Sequence, residues 1–450
     1  MRFLPHTESD RQAMLTRIGA TQMSDLFEDI PEQLRISPQS LDLPGALSEA
    51  AIVRKFTQAA ERNRHALNTR CFLGGGTYHH FIPSVVDYII SRGEFLTAYT
   101  PYQPEISQGT LQTLFEFQTM VARLTGMEVS NASMYDAATS VAEAALMAKR
   151  VTRKNRVILA NGVHPKYCEV TTNYLSHLEG SCVRLPQSGY ATDLAQTIAA
   201  IDENTACVIV QYPDFYGTVY DLAQLRIACD THKCLMVVAF ADVSAFALID
   251  PPGHYGADIA VGSGQALGIP MGFGGPHLGL FTCKQKYLRQ MPGRVCGLTH
   301  DVNGQRGFVL TLSTREQHIR REKATSNICS NQGLMCTAAA TYLTLMGDAG
   351  LETVAKHSAA ALQSLIDQLP SHVTAASGPH YNETVITFSD QHTRDQFLSR
   401  AHAANIFAGI ALETIDSSAE RAEASLLIAT TEMIEPDDIS ALVQLLEACQ

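Results

Sequence analysis

The runs ACVIVQYP (206–213), CLMVVAFAD (234–242) and DIAVGS (258–263) decide the fold. Each is short and almost continuously apolar, and DLAQLRIACDTH (221–232), between the first two, has helical spacing. A strand that is apolar on both sides has to be covered on both faces. Apolar strands alternating with helices meet that need as a parallel sheet between helical layers. RVILAN (156–161), SCVRL (181–185) and LGLFTC (278–283) extend the pattern. Upstream, Leu111, Leu114, Phe115, Phe117, Met120, Val121 and Leu124 form a broad apolar face in 110–126, and 138–151 (ATSVAEAALMAKRV) reads as a second helix. The expectation is an α/β protein with a mainly parallel sheet, which places ligands beyond the carboxyl ends of its strands.

The pattern changes on either side. Thr7 and Ser9 are candidate caps for a short helix at 10–19, and two proline-punctuated pieces follow, so 1–50 reads as an arm. A helix is expected from about 49 toward 68, then CFLGGGTYHHFIPS (71–84) breaks into a glycine-rich turn. Beyond 350, helices at 351–369, 394–406 and 436–449 alternate with strands TVITFS (384–389) and ASLLIATTE (424–432). The expected organisation is an arm (1–50), a large α/β domain (51–349) and a small α+β domain (350–450).

Composition narrows the function. A chain of 450 residues, 46% hydrophobic and 17% charged, can build a large core and is neither disordered nor collagen-like. Lys plus Arg number 33 against 45 Asp plus Glu, and a net charge of −12 repels a phosphate backbone, so nucleic acid is not an expected partner. The eleven cysteines contain no C-x-x-C pair and read as free thiols in a reducing compartment. The start, MRFLPHTESDRQAML, lacks a secretory pattern, and no apolar run approaches the ~20 residues of a membrane span. A cytoplasmic protein with no membrane contact is expected.

Several residues have the right type and place for chemistry. Asp242 ends a predicted strand, where it serves either a ligand or the cap of the next turn. His164 follows another strand end and is a packed loop histidine or a ring-stacking one. Thr139 and Ser140 open a helix, as caps or as part of a phosphate cup. The turns LGGGTYHH and MGFGGPH match neither a P-loop nor a dinucleotide fingerprint, there is no G-x-S-x-G, and adjacent His79 and His80 do not make a zinc-protease motif. TAYTPYQPEISQGT (97–110) is a polar-aromatic stretch suited to a surface crossover or to a lip facing a partner. TREQHIRREKATSN (314–327) reads as a salt-bridged helix with Glu316 and Arg320 at (i, i+4), leaving through small hydrogen-bonding residues.

Four long motifs in series add a resemblance. TAYTPYQPEISQG (97–109), VSNASMYDAATSVAEA (129–144), GADIAVGSGQALGIPMGFGGPHLGLF (256–281) and TREQHIRREKATSNICSNQ (314–332) together resemble the glycine decarboxylase P-protein family of the glycine cleavage system. Order and spacing match that family's N-terminal half over essentially the whole chain, as in the first subunit of its two-chain form. The near-terminal stretch keeps the family's Thr431–Glu432 pair but has acidic residues where basic ones are usual.

The resemblance implies a fold-type I pyridoxal phosphate (PLP) enzyme, which needs a Schiff-base lysine, an aspartate on the pyridinium nitrogen, a ring-stacking side chain and a phosphate cup. Asp242, His164 and 138–140, Ser140 included, stand where the last three belong. The lysine position holds Gln265, whose amide nitrogen is not nucleophilic, and Lys284 and Lys286 lie beyond another strand. The implied arrangement is therefore a catalytically incomplete chain, with PLP on a homologous second subunit and none attached here. The pair, an α2β2 assembly, would decarboxylate glycine and pass the aminomethyl group to the lipoyl arm of H-protein. Tyr99, Tyr102, Gln103, Glu105 and Gln108 would line a shared cleft, and Thr325, Ser326 and Asn327 would approach the partner's cofactor phosphate. Two alternatives remain: a free-standing PLP enzyme using another lysine, such as Lys284 or Lys323, and a non-catalytic scaffold.

Overall fold

Seven strands assemble as the apolar runs demand, in the order Val129–Ser130, Gly279–Cys283, Ile259–Ser263, Leu235–Phe240, Thr205–Gln211, Arg156–Leu159, Ser181–Arg184. The computed structural model describes residues 5–36, 41–328 and 332–449. From Ile259–Ser263 through to Ser181–Arg184 the neighbours are parallel, while Gly279–Cys283 is antiparallel to both its neighbours, Ile259–Ser263 and the edge strand Val129–Ser130. Every residue of Thr205–Gln211, Leu235–Phe240 and Ile259–Ser263 is buried, which is why these strands carry no alternation. Helices Gln108–Leu124, Ala137–Thr152, Pro165–Leu175 and Ala223–His232 pack their apolar sides into the same core.

A second sheet, Thr374–Ala375, Glu383–Thr387, Ser425–Ala429, Ile410–Ala411, is antiparallel throughout. Helices Gln391–Ala403 and Pro436–Glu447 complete a separate core around Phe388, Phe397, Leu426, Ile428 and Leu442. The helix Gly333–Asp367 runs through position 350, interrupted by a non-helical Gly347, so both cores share it.

Residues up to Arg64 form a unit of their own. Its first helix is Glu8–Ile18, opened by a capping box in which Asp10 N–H donates to Thr7 Oγ1 (3.2 Å) and Thr7 N–H to Asp10 Oδ2 (2.8 Å). The second, Glu49–Ala60, stops short of the expected 68. Two further corrections concern the sheet side. A hairpin, Val295–His300 with Arg306–Thr311, stands where no strand is expected, because its glycines and charges break any strand period. The helix expected at 314–323 is instead three short turns, Ser313–Arg315, Gln317–Arg320 and Arg321–Lys323. Buried Arg315 donates to the carbonyls of Leu312, Met291 and Gly293, and Glu316 faces Arg294 Nε at 3.7 Å, so tertiary partners override helical spacing.

The ten cysteines among the described residues are free thiols, and Cys329 lies outside them. No described helix is long and apolar enough to cross a membrane.

Candidate functional site

Asp242, Gln265 and His164 each follow the carboxyl end of a parallel strand, so the fold brings them to one rim of the sheet. Tyr381, Asn382, Glu383, Thr431 and Glu432 come from the antiparallel lobe. Between the two runs 72–81, FLGGGTYHHF. It enters through a parallel pairing of Arg70–Cys71 with Ile406–Phe407, continued by Ala429 N–H donating to Phe72 O at 3.0 Å.

Gln265 is buried and clamps this segment. Its Oε1 accepts from Tyr78 N–H (2.9 Å), and its Nε2 donates to the carbonyls of Tyr78 (3.0 Å) and Ile269 (2.8 Å). An amide satisfies a buried peptide N–H and C=O together, and an ammonium, which only donates, does not.

Asp242 is saturated from within the chain. Oδ1 accepts from Ser244 N–H (2.9 Å) and Oγ (2.6 Å), and Oδ2 from Asn382 Nδ2 (2.8 Å), with His80 Nε2 at 3.1 Å. The other ring nitrogen of His80 lies 2.7 Å from Glu432 Oε2, while Glu432 Oε1 accepts from Phe81 N–H at 2.7 Å. With a carboxylate at each nitrogen, the His80 ring carries both protons. Burial alone would discharge it, but Asp242 and Glu432 outweigh burial and raise its pKa to about 10. Asp242 is held below its ordinary value: burial pushes it up, and the His80 cation and the Ser244 donors more than compensate.

His164 is the opposite case. Lys166 N–H donates to Nδ1 (3.1 Å), so Nε2 carries the proton and donates to Gly75 O (2.9 Å). Burial brings this neutral imidazole down to about 4. It stacks on Tyr167 with centroids 4.5 Å apart, and a Cβ on Gly76 would lie 3.3 Å from the ring. Glycine is required at 74 as well, because a Cβ there would meet Glu383 Oε1 at 2.2 Å. Glu383 accepts from Gly75 N–H (2.5 Å) and Tyr78 Oη (2.9 Å), yet burial lifts its pKa to about 8.

At the opening of helix Ala137–Thr152, Asp136 Oδ1 accepts from Thr139 N–H (2.8 Å) and Oγ1 (2.9 Å), and Ser140 Oγ donates to Asp136 O (2.6 Å). A phosphate in this cup would meet a carboxylate already holding the donors. Together with Gln265 and the His80-occupied Asp242, this means that the residues do not fit PLP. Lys284 offers no substitute, since its Nζ donates to Gly256 O (2.8 Å) and Asp258 Oδ1 (2.9 Å).

The remaining expected residues lie elsewhere. Tyr99, Tyr102, Gln103, Glu105 and Gln108 lie along a largely exposed stretch, with Tyr99 92% accessible. Tyr102 is braced by buried Arg294, whose Nη2 donates to its hydroxyl at 3.1 Å with the guanidinium 5.2 Å from the ring centre. The Gln108 amide brackets the hairpin residue Phe308, accepting from its N–H (2.8 Å) and donating to its carbonyl (2.9 Å). Thr325 N–H donates to Arg315 O (2.9 Å), Ser326 Oγ accepts from Ile328 N–H (3.1 Å) and interacts with buried Glu143, and Asn327 is exposed. Tyr78, His80, Asn382, Glu383 and Glu432 join the site without having been singled out by sequence. The adjacent histidines beside three glycines and the Thr431–Glu432 pair are their only signals, and nothing local says that they meet.

Comparison with known proteins shows the family. The family model described as glycine cleavage system P-protein matches residues 1–446. A protein of Rhizorhabdus wittichii described as probable glycine dehydrogenase (decarboxylating) subunit 1 is 46% identical, covering 100% of this chain and 99% of its own. An Erythrobacter litoralis protein of the same description is 47% identical, covering 99% of each. A crystal structure described as glycine decarboxylase (P-protein) of the glycine cleavage system, in inhibitor-bound form, superposes with TM-score 0.89 at 40% identity over 100% of both chains. A sphingosine-1-phosphate lyase of Burkholderia pseudomallei (TM-score 0.65, 14% identity, 91% of this chain and 92% of that one) shares the fold alone, that of fold-type I PLP-dependent enzymes. The chain belongs to the glycine cleavage system P-protein family.

Proposed function

We propose that this chain is the subunit of a two-chain glycine decarboxylase that lacks the cofactor and completes the active site of a homologous PLP-bearing partner. What supports this reading is that Gln265, standing where the resemblance puts the Schiff-base lysine, has both its amide atoms committed to the chain's own backbone. A chain that cannot hold the cofactor, yet keeps a full-length family fold, has its role in what it presents to another subunit. Phe81, Tyr88, Leu96, Tyr99, Tyr102 and Ile106 are all exposed between 81 and 106, the kind of apolar surface that marks an interaction site.

In this reading the assembly is α2β2 and works in the cytoplasm. The bond-breaking step occurs on the partner. Tyr99, Tyr102, Gln103 and Glu105 form the facing wall of the glycine cleft, Gln108 holds that wall to the hairpin, and 325–327 lie toward the partner's cofactor phosphate. The aminomethyl product leaves on the lipoyl arm of H-protein. Vestigial Ser140, His164 and Asp242 keep structural roles.

The test is reconstitution. Glycine–bicarbonate exchange is measured with this chain alone, with the PLP-bearing chain alone and with both. Activity only in the mixture is expected. Full activity of the partner alone would leave this chain a scaffold and overturn the reading, and exchange by this chain alone would make it a free-standing enzyme.

A further inference from the structure

The pocket that the fold would devote to a cofactor is filled, and what fills it is the chain itself. Residues 74–81 meet all the positions a cofactor would use at its ring end. His164, the ring-stacking position, has Gly76 against its imidazole and donates to Gly75 O. Gln265, the lysine position, is paired with both backbone atoms of Tyr78. Asp242, the pyridinium position, has a cationic aromatic N–H already directed at it, from His80. Glu383 reaches in from the other lobe to bind Gly75 N–H and Tyr78 Oη.

We infer that 74–81 is the permanent occupant of the former cofactor pocket, and that His80 is a positioning residue that takes a pyridinium's place on Asp242 and so anchors the segment leading to the lip. Three features carry this. The imidazolium is a chemical match for a protonated pyridine: a flat aromatic cation donating one N–H to a buried carboxylate. The second nitrogen adds what a pyridine lacks, a bond to Glu432 of the antiparallel lobe, so one ring ties both lobes to the segment. Glu432 Oε1 also accepts Phe81 N–H, and from there only Ile82 and Pro83 precede helix Ser84–Ile90, whose Val86 is buried in the main core. That helix and Gly93–Leu96 lead directly into the lip that begins at Thr97. The glycines at 74 and 76 are what let the backbone approach Glu383 and His164 this closely.

One consequence is that replacing Gln265 by lysine does not restore a cofactor site. The inference borrows from the preceding reading only the place where a cofactor would sit. Exchange that needed no contribution from this chain would overturn that reading and leave the occupant of the pocket unaffected.

Three measurements on the full-length chain test it. The Gln265→Lys variant is incubated with PLP and reduced with borohydride; neither an aldimine absorbance nor a pyridoxyl group on residue 265 is expected, and labelling there overturns the inference. In the unsubstituted chain carrying ¹⁵N-histidine, the His80 ring is expected to show two protonated, slowly exchanging nitrogens at pH 8. A neutral or freely exchanging ring overturns the inference even if the lysine variant fails to fold. In His80→Gln, amide exchange is expected to accelerate across 74–81 and the lip at 97–108 while strand 235–240 stays protected. Unchanged exchange in both segments overturns the anchoring role.

Discussion

The Nε2 of His80 stands 3.1 Å from Oδ2 of Asp242, with both side chains almost fully removed from solvent. This buried carboxylate at a strand end is thereby spent on an imidazolium 162 positions earlier in the chain. Glu432 on the far nitrogen makes the arrangement a buried cation between two anions, so removing either anion strands a charge.

Asp242→Ala is therefore expected to lower stability by roughly 3–5 kcal/mol, since it leaves the His80 cation and the Asn382 amide short of a partner. Asp242→Asn, which keeps an acceptor, is expected to lose less. Urea unfolding of the two variants checks the order, and an alanine variant within about 1 kcal/mol of the parent would refute it.

His80 also predicts a pH dependence. Its pKa is about 10 in the folded chain against an ordinary 6.5, so between those values the folded state holds the extra proton. The stabilisation is complete below pH 6.5 and is lost as pH rises through 10, with a slope of at most about 1.4 kcal/mol per pH unit. Unfolding midpoints from pH 6.5 to 10 are expected to fall more steeply for the parent than for His80→Gln. Parallel curves would contradict the assignment.

Gln265→Ala removes three buried hydrogen bonds and takes the partner from the Tyr78 N–H and the Ile269 carbonyl, while the Tyr78 carbonyl keeps the His80 N–H (3.2 Å), a loss of roughly 1–3 kcal/mol. Gln265→Glu is expected to be at least as damaging, because a carboxylate cannot donate to those two carbonyls. Thermal unfolding of both variants gives the ranking, and a Gln265→Glu chain that melts with the parent would refute the clamp.

The lip separates function from stability. Glu105 is exposed, so Glu105→Gln is expected to leave the melting temperature unchanged while reducing kcat/KM of the assembled enzyme. Gln108→Ala should instead loosen the hairpin at Phe308, costing roughly 1–3 kcal/mol and raising amide exchange over 306–311. Unimpaired turnover with Glu105→Gln would remove that residue from the cleft.

Gly217 joins the two lobes at a point where no side chain fits. Its φ is +86°, and a Cβ would lie 1.7 Å from Glu383 O. Gly217→Ala is expected to destabilise by more than about 2 kcal/mol, measured by denaturant unfolding, and a near-neutral result would mean that the lobes can part there without cost.

Much of this architecture was legible in the order of residues. Strands 205–211, 235–240 and 259–263 are apolar without alternation because both faces are covered, and that requirement is local enough to read directly. The positions of Asp242, His164 and Gln265 at strand ends followed from the same pattern. The hairpin at 295–311 and the broken turns after 313 did not, since glycine, charge and tertiary anchoring outweigh their spacing.

Sequence by itself determined the fold class and the family, because each rests on residue identity or on short-range periodicity. Only the tertiary structure decided which groups meet Gln265 and Asp242. Tyr78 meets Gln265 across 187 positions, and His80 meets Glu432 across 352. No spacing rule links residues so distant; burial made each donor need an acceptor, and the fold alone supplied it.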